Sequence, residues 1–266
     1  MSSMLVFAAV AALQGQAVLL RLPVTEDTTA VAVDWRGKHL PMTRSGGHWQ
    51  ALIGIDLDMS PGPYAAVMTQ RLADGAERII EESVVVSAGQ YRTTELTVAR
   101  QYVDLSEEDQ QRAARESEKI AAIYANISAA PLWDEPFAAP IEGASGGRNF
   151  GHRRVFNGQA RAPHSGADLS ASVGTPVRAA NRGRVVLAEP LFFSGNAVFL
   201  DHGLGVYSVY LHLSEIKVSV GELVEKTALL GLAGATGRVT GPHLHWGVRV
   251  LDARVDPFTL PGMAQD

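Results

Sequence analysis

The sequence predicts a mainly β protein in two parts: an N-terminal, immunoglobulin-like β-sandwich, a helical linker, and a C-terminal antiparallel β domain. Three observations predict it. Short apolar or alternating runs recur along most of the 266 residues, divided by Gly-containing turns. One stretch alone, near 106–127, carries apolar residues at helical spacing. The strand-like runs do not alternate with helices in the βαβ manner, which argues against a parallel sheet.

The length leaves room for two ordinary domains with proper cores. Hydrophobic residues make up 46% and charged residues 19%, the balance of a globular chain. A net charge of −5 gives no electrostatic footprint for nucleic acid. There is no cysteine, so disulfides and thiolate metal sites are excluded, and any metal must be held by His, Asp or Glu.

The elements follow in order. Met4–Leu13 is an apolar run too short to span a membrane, which takes about 20 residues. It suits the core of a signal peptide, with Gly15 and Ala17 as the small residues before a cut at 17/18. Residues 1–17 are therefore expected to direct export, although no Lys or Arg precedes the run. Residues 18–90 hold the sandwich strands AVLLRLP, TAVAVDW, WQALIGIDL, YAAVMTQRL and RIIEESVVV. Arg36-Gly37, Gly46-Gly47, Pro61-Gly62-Pro63 and Asp74-Gly75 are the expected turns between them. Residues 91–135 are expected to be the linker. Ser106 followed by three acids is a helix start, Glu108 and Arg112 stand at i, i+4, and Ile120, Ile123, Tyr124 and Ile127 form a stripe that would lie on a neighbouring surface. The proline-punctuated PLWDEPFAAP, 131–140, ends the helix and marks the boundary. From 136 to 266 the runs PVRAA, GRVVLAE, NAVFLDHG, GVYSVYLHL, ALLGLAG and HLHWGVRV read as antiparallel strands joined by short Gly-containing turns.

Candidate chemistry concentrates in this last part. In a strand, i and i+2 share a face, so His243 and His245 project together, away from Leu244 and Trp246. In PHSGADLSA, His164 and Asp168 share a face if the segment is extended. By the same alternation Ser208, Tyr210 and His212 are expected on one face of VYSVYLHLS. Two imidazoles and a carboxylate suit zinc, and three protein ligands leave the open position of a catalytic site. Further histidines beside it could take a proton from the attacking water and stabilise an oxyanion. Each pattern alone is weak; a lone HxH is more often a half-exposed strand, and His212 between two leucines could be a core histidine.

Taken together, HSGADLSA, VYLHLS and TGPHLHWGV resemble the lysostaphin-like (LytM-type) zinc metallopeptidases that cut peptidoglycan cross-bridges. The resemblance covers roughly 136–258 and includes GTPVRAANRGRV, LDHGLGVYSVYLHL, VSVGELV and GATGRVTGPHLHW. The lead-in NFGHRRVFNG is similar to Gram-negative relatives, and 18–90 more loosely to an accessory domain found in some of them. The resemblance implies a barrel-sandwich hybrid fold and one zinc per chain, held by His164, Asp168 and His245. It implies that His212 and His243 are the non-ligand active-site histidines. It also implies a periplasmic or cell-envelope endopeptidase acting on peptidoglycan stem peptides, with the D-alanyl–diaminopimelate bond as the expected target and glycine bridges as the alternative. Some family members are catalytically silent scaffolds that activate a wall amidase, and a wall-binding module is a further rival. Lys226-Thr227 departs from the family pattern, which often has glycine there, and a local loop effect is expected. His39 and His48 are expected to be solvated and His202 to belong to a hairpin loop, while His152, Arg153, Arg154 and Asn157 are candidates for substrate contact.

Overall fold

The structure is a computed structural model that describes residues 5–6, 9–96, 105–133, 135–143, 145–156, 159–160 and 162–262. Asn157 and residues 1–4 and 7–8 of the expected signal peptide lie outside them. The chain forms two compact units, Met1–Gly89 and Gln90–Asp266.

The first unit contains β1 (Leu5–Val6), β2 (Val10–Leu13), β3 (Ala17–Pro23), β4 (Thr28–Trp35), β5 (Lys38–Pro41), β6 (Thr43–Ser45), β7 (His48–Gly54), β8 (Gly62–Leu72) and β9 (Glu77–Ser87). One sheet has the order β1-β9-β8-β4-β5, with β2 also on β9, and the other is β3-β7-β6. Alternation drives Val31, Val33 and Trp35 of β4 into the core, and the Trp35 indole donates to the Gly54 carbonyl of the other sheet at 3.3 Å. Arg36-Gly37 and Gly46-Gly47 both have two consecutive positive φ angles and close tight hairpins, Trp35 opposite Lys38 and Ser45 opposite His48. Pro61-Gly62-Pro63 is not a free turn: β8 begins at Gly62, which pairs with Val86. Val10–Leu13, the end of the apolar run expected to serve in export, is a strand parallel to Val84–Ser87.

In the second unit β10 (Thr93–Leu96) runs parallel to β11 (Arg153–Phe156), which pairs with β12 (Gln159–Ala160). Residues 93–96 are thus a strand within the stretch expected as helical linker. Helix α1 spans Glu107–Ala125. Ser106 caps it, accepting from the Asp109 N–H at 3.1 Å, and Glu107, Glu108 and Asp109 occupy the first turn, where the helix dipole favours acids. Arg112 pairs with Glu116 at 2.8 Å in place of Glu108, and Ile127 falls beyond the helix end. The main sheet follows from β13 (Gly166–Ser170), β15 (Gly183–Leu191), β16 (Gly195–Asp201), β17 (Val206–Leu213), β19 (Leu223–Val224), β21 (His243–Val250) and β22 (Ala253–Val255). Its order is β13-β21-β17-β16-β15-β19, with β22 on β21. A smaller sheet is formed by β14 (Pro176–Arg178), β18 (Glu215–Ile216) and β20 (Leu229–Leu232) in the order β14-β20-β18.

The main sheet has two distinct faces. Leu244, Trp246, Val248 and Val250 of β21, all at most 1% exposed, point to one of them. His243, His245 and Arg249 alternate to the other. On that same face Ile120, Ile123 and Tyr124 of α1 pack against Leu187, Leu191, Ala197, Phe199 and Val209. The Tyr124 ring stacks on Phe199, centroids 6.0 Å apart, and the Arg249 guanidinium lies 5.2 Å from its centre. Lys119 pairs with Glu189 of β15 at 2.6 Å. The helical stripe therefore lies on the sheet face that also carries the histidines.

Candidate metal centre

The antiparallel register of β13 and β21 sets the site. Asp168 stands opposite His245, and directly paired residues project to the same face. His164 sits just before β13, and its ring reaches Asp168. Three atoms converge: His164 Nε2 and His245 Nδ1 are 2.9 Å apart, and each is 3.0 Å from Asp168 Oδ1. The three ligand atoms form a nearly equilateral triangle, the only such group of His and acidic residues found among the described residues.

This triangle passes a simple test of fit. Ligand atoms about 2.0–2.1 Å from a tetrahedral zinc are about 3.3 Å from one another, so edges near 3 Å leave room for the ion above the plane. The proton positions agree with that role. The Asn149 carbonyl lies 3.0 Å from His164 Nδ1 and can only accept, so the proton is on Nδ1 and the Nε2 lone pair faces the triangle. Burial disfavours the charged form of His245 and lowers its pKa; its hydrogen bond to Asp168 offsets only part of this. Burial acts on Asp168 in the opposite sense, raising its pKa, but the His164 and His245 rings against Oδ1 outweigh it and hold the carboxyl well below the usual range; any ring proton shared with Oδ1 is one that a bound metal ion would displace. A neutral imidazole and an ionised carboxylate are the ligand forms zinc requires.

His243 and His212 stand beside the triangle. His243 Nε2 is 3.6 Å from Asp168 Oδ1, and the His212 and His243 rings are 5.0 Å apart. Both direct Nδ1 at a backbone carbonyl, Thr236 for His212 and Gly241 for His243, each at 2.9 Å. Both therefore carry the proton on Nδ1 and leave Nε2 free to accept. Burial lowers the His212 pKa to about 4, with the Thr236 carbonyl opposing the shift, so the ring is neutral at pH 7.

The expectation that Ser208, Tyr210 and His212 share a face is overturned. Between β16 and β17 the register slips: Val198 pairs with Tyr210 but Asn196 pairs with Leu213, so Leu211 and His212 together oppose Ala197. His212 adopts φ 65°, and the bulge swings its side chain across the sheet to the histidine face. Ser208 and Tyr210 stay on the opposite face in a buried chain with His202. The Ala180 N–H donates to the Tyr210 oxygen at 2.8 Å, Ser208 Oγ is 2.9 Å from that oxygen and 2.7 Å from His202 Nε2, and His202 Nδ1 donates to the Arg182 carbonyl at 2.7 Å. His202 thus lies in the hairpin connection between β16 and β17, as expected, and is wholly buried there.

His39 and His48 belong to the first unit, and His39 contacts Asp34 at 3.0 Å. His152 is half-buried beside the site's lead-in, its carbonyl accepting the His164 N–H at 2.9 Å, and Arg153 is exposed on β11. Thr227, where the family pattern often has glycine, sits at φ 66°, a conformation unfavourable for a β-branched residue. Residue spacing did not reveal the Thr236 and Gly241 carbonyls, because backbone acceptors leave no side-chain signature. Gly166 and Gly195 were missed as well. A Cβ on Gly166 would lie 2.6 Å from His245 Nε2, and one on Gly195 would lie 2.4 Å from the Thr236 carbonyl carbon.

Comparison with known proteins gives four matches. The model of peptidase family M23 matches residues 162–257. Peptidoglycan DD-endopeptidase ShyA of Vibrio cholerae serotype O1 is 44% identical over 99 residues, covering 37% of this chain and 23% of that protein. ShyC of the same organism, also a peptidoglycan DD-endopeptidase, is 39% identical over 124 residues, covering 46% of this chain and 28% of the other. The chain thus matches about a quarter of the length of these relatives. A crystal structure from Pseudomonas aeruginosa assigned to peptidase M23 matches 93% of this chain and 93% of its own, with 33% identity and a TM-score of 0.67.

Proposed function

The chain belongs to peptidase family M23, and we propose that it is a zinc endopeptidase that hydrolyses peptide cross-links of peptidoglycan. One observation carries this reading: the His164–Asp168–His245 triangle is flanked by two histidines whose Nε2 atoms are free to accept protons. His164 Nε2, Asp168 Oδ1 and His245 Nδ1 would hold one zinc. When bound, zinc supplies the Lewis acidity that makes water a nucleophile near neutral pH and polarises a carbonyl.

The remaining work falls to the protein. His212 is neutral at pH 7 and enters the reaction as an acceptor for a proton of the attacking water. Its Nδ1 bond to Thr236 fixes the tautomer and the ring direction. Once protonated, an imidazolium keeps Nδ1–H on its carbonyl and gains an Nε2–H that can donate to the carbonyl oxygen as the carbon becomes tetrahedral. The same proton then passes to the leaving amine, so acid and base roles alternate within one pair. His243, with its Nδ1 on Gly241 and its Nε2 directed toward the triangle, supplies the second donor–acceptor on that side.

The target bond is the D-alanyl–diaminopimelate cross-link, a reading supported by the DD-endopeptidase assignment of ShyA and ShyC. Such a substrate requires export, so the protein acts in the periplasm or cell envelope. Incubation of the full chain and zinc with purified peptidoglycan, followed by mass spectrometry of the muropeptides, tests this. Cross-linked dimers should fall and monomers rise, and His245→Ala should abolish the change. Cleavage of a glycine bridge would move the target bond. A protein that cuts nothing, yet stimulates a wall amidase as well as its His245→Ala variant does, would overturn the enzymatic reading.

A further inference from the structure

Asn149 lies fifteen residues before the first ligand, in a segment that no ligand pattern marks, yet it touches two of the three ligands. Its side-chain oxygen accepts the Asp168 backbone N–H at 3.0 Å, and its amide nitrogen donates to Asp168 Oδ2 at 2.8 Å. Its backbone carbonyl lies 3.0 Å from His164 Nδ1. One residue thus occupies the carboxylate oxygen not in the triangle and the ring nitrogen not in the triangle.

The segment that carries Asn149 is fixed on both sides. Gly147 N–H donates to the Asp168 carbonyl and Ser170 N–H to the Ser145 carbonyl, both at 2.9 Å. Beyond Asn149, Gly151 N–H donates to the His164 carbonyl at 2.8 Å and His164 N–H to the His152 carbonyl at 2.9 Å. Glycine is needed for this close approach. A Cβ at Gly146 would be 2.7 Å from the Asp168 carbonyl oxygen, at Gly147 2.5 Å from the Phe258 ring and at Gly151 2.2 Å from the Tyr91 ring, and all three have positive φ. The strap is held against β13 along the length of the ligand segment, with the Asn149 amide at its centre.

We propose that Asn149 is a positioning residue for the metal centre: it selects Oδ1 of Asp168 and Nε2 of His164 as the metal-facing atoms. This rests on the zinc reading above. Outer partners of metal ligands that fix tautomer and carboxylate orientation typically change metal affinity by about 10–100-fold. Among the described residues the side chain bonds to Asp168 alone, so its removal takes away the restraint on Oδ2 while the His164 contact, made by backbone, persists.

The test uses the full chain with Asn149→Ala and Asn149→Ser, the latter too short to span both Asp168 groups. Zinc affinity is measured by competition with a chromophoric chelator, the apo-protein Tm by thermal unfolding, and the ligand set by the visible absorption of the cobalt(II)-loaded protein. Both variants should bind zinc about 10–100-fold more weakly, with a changed cobalt spectrum and an apo Tm close to wild type. Wild-type affinity and an unaltered cobalt spectrum in the variants would overturn the inference. So would a weakening accompanied by a large fall in apo Tm and an unaltered spectrum, which is the mark of a purely structural residue. A wild-type chain that binds no zinc overturns the metal reading itself and this inference with it.

Discussion

His202 gives the fold a specific weakness toward acid. It is fully buried, with both ring nitrogens engaged, and burial lowers its pKa from 6.5 to about 4. In the unfolded chain the ring titrates near 6.5, so between about pH 6.5 and 4 the unfolded state binds more protons than the folded state. A depressed histidine pKa therefore removes stability as the pH falls through this window; above it the term vanishes. Integrating across the window gives a loss of about 2 kcal/mol by pH 5 and about 3 kcal/mol by pH 4. His202→Gln isolates this contribution, because glutamine is polar but does not titrate, and the other histidines titrate alike in both proteins. The variant should be less stable at pH 7, since it breaks the chain through Ser208 and Tyr210. Its deficit should shrink by about 2 kcal/mol between pH 7 and pH 5, measured by urea unfolding with a chelator present. A deficit that stays constant over that range would refute the reasoning.

Three further substitutions probe the backbone that holds the site. Thr227→Gly removes a β-branched residue from φ 66° and should stabilise the protein by about 1 kcal/mol, seen as a higher Tm with unchanged zinc content. Gly195→Ala would drive a Cβ into Thr236, whose carbonyl orients His212, so peptidoglycan cleavage should fall at least about tenfold while zinc is retained. Gly166→Ala would push on the His245 ring and the Trp246 carbonyl; here zinc affinity should fall together with activity, as a chelator titration would record.

Much of the β architecture was legible because alternation and turn chemistry are local. Arg36-Gly37 and Gly46-Gly47 have the positive φ angles that two-residue hairpins require, and β21 buries Leu244 and Trp246 while turning His243 and His245 together. The helix was legible from Ser106 and the Ile120–Tyr124 stripe. The failures share one cause. Alternation assumes an unbroken ladder, and the register slip opposite Ala197 is a pairing property that β17 alone cannot reveal. His212 consequently reaches the site by a bulge and not by periodicity. His202 does lie in the hairpin connection between β16 and β17, but its burial was not legible, because it depends on the Arg182 carbonyl and the Ser208 hydroxyl that only the folded sheet brings to the ring. Asn149 escaped notice because its role depends on a strap pressed against β13, and three glycines in a lead-in do not by themselves say what they approach.

The central claim is that two histidines one residue apart share a face but not a task. Zinc content per chain and cross-link cleavage, measured side by side for His243→Ala and His245→Ala, test it most directly. His245→Ala should lose both the metal and the activity. His243→Ala should retain about one zinc per chain, as expected of a site with all three ligands intact, and lose most of its cleavage. Loss of zinc in both variants, or its retention in both, would contradict the division of labour between them.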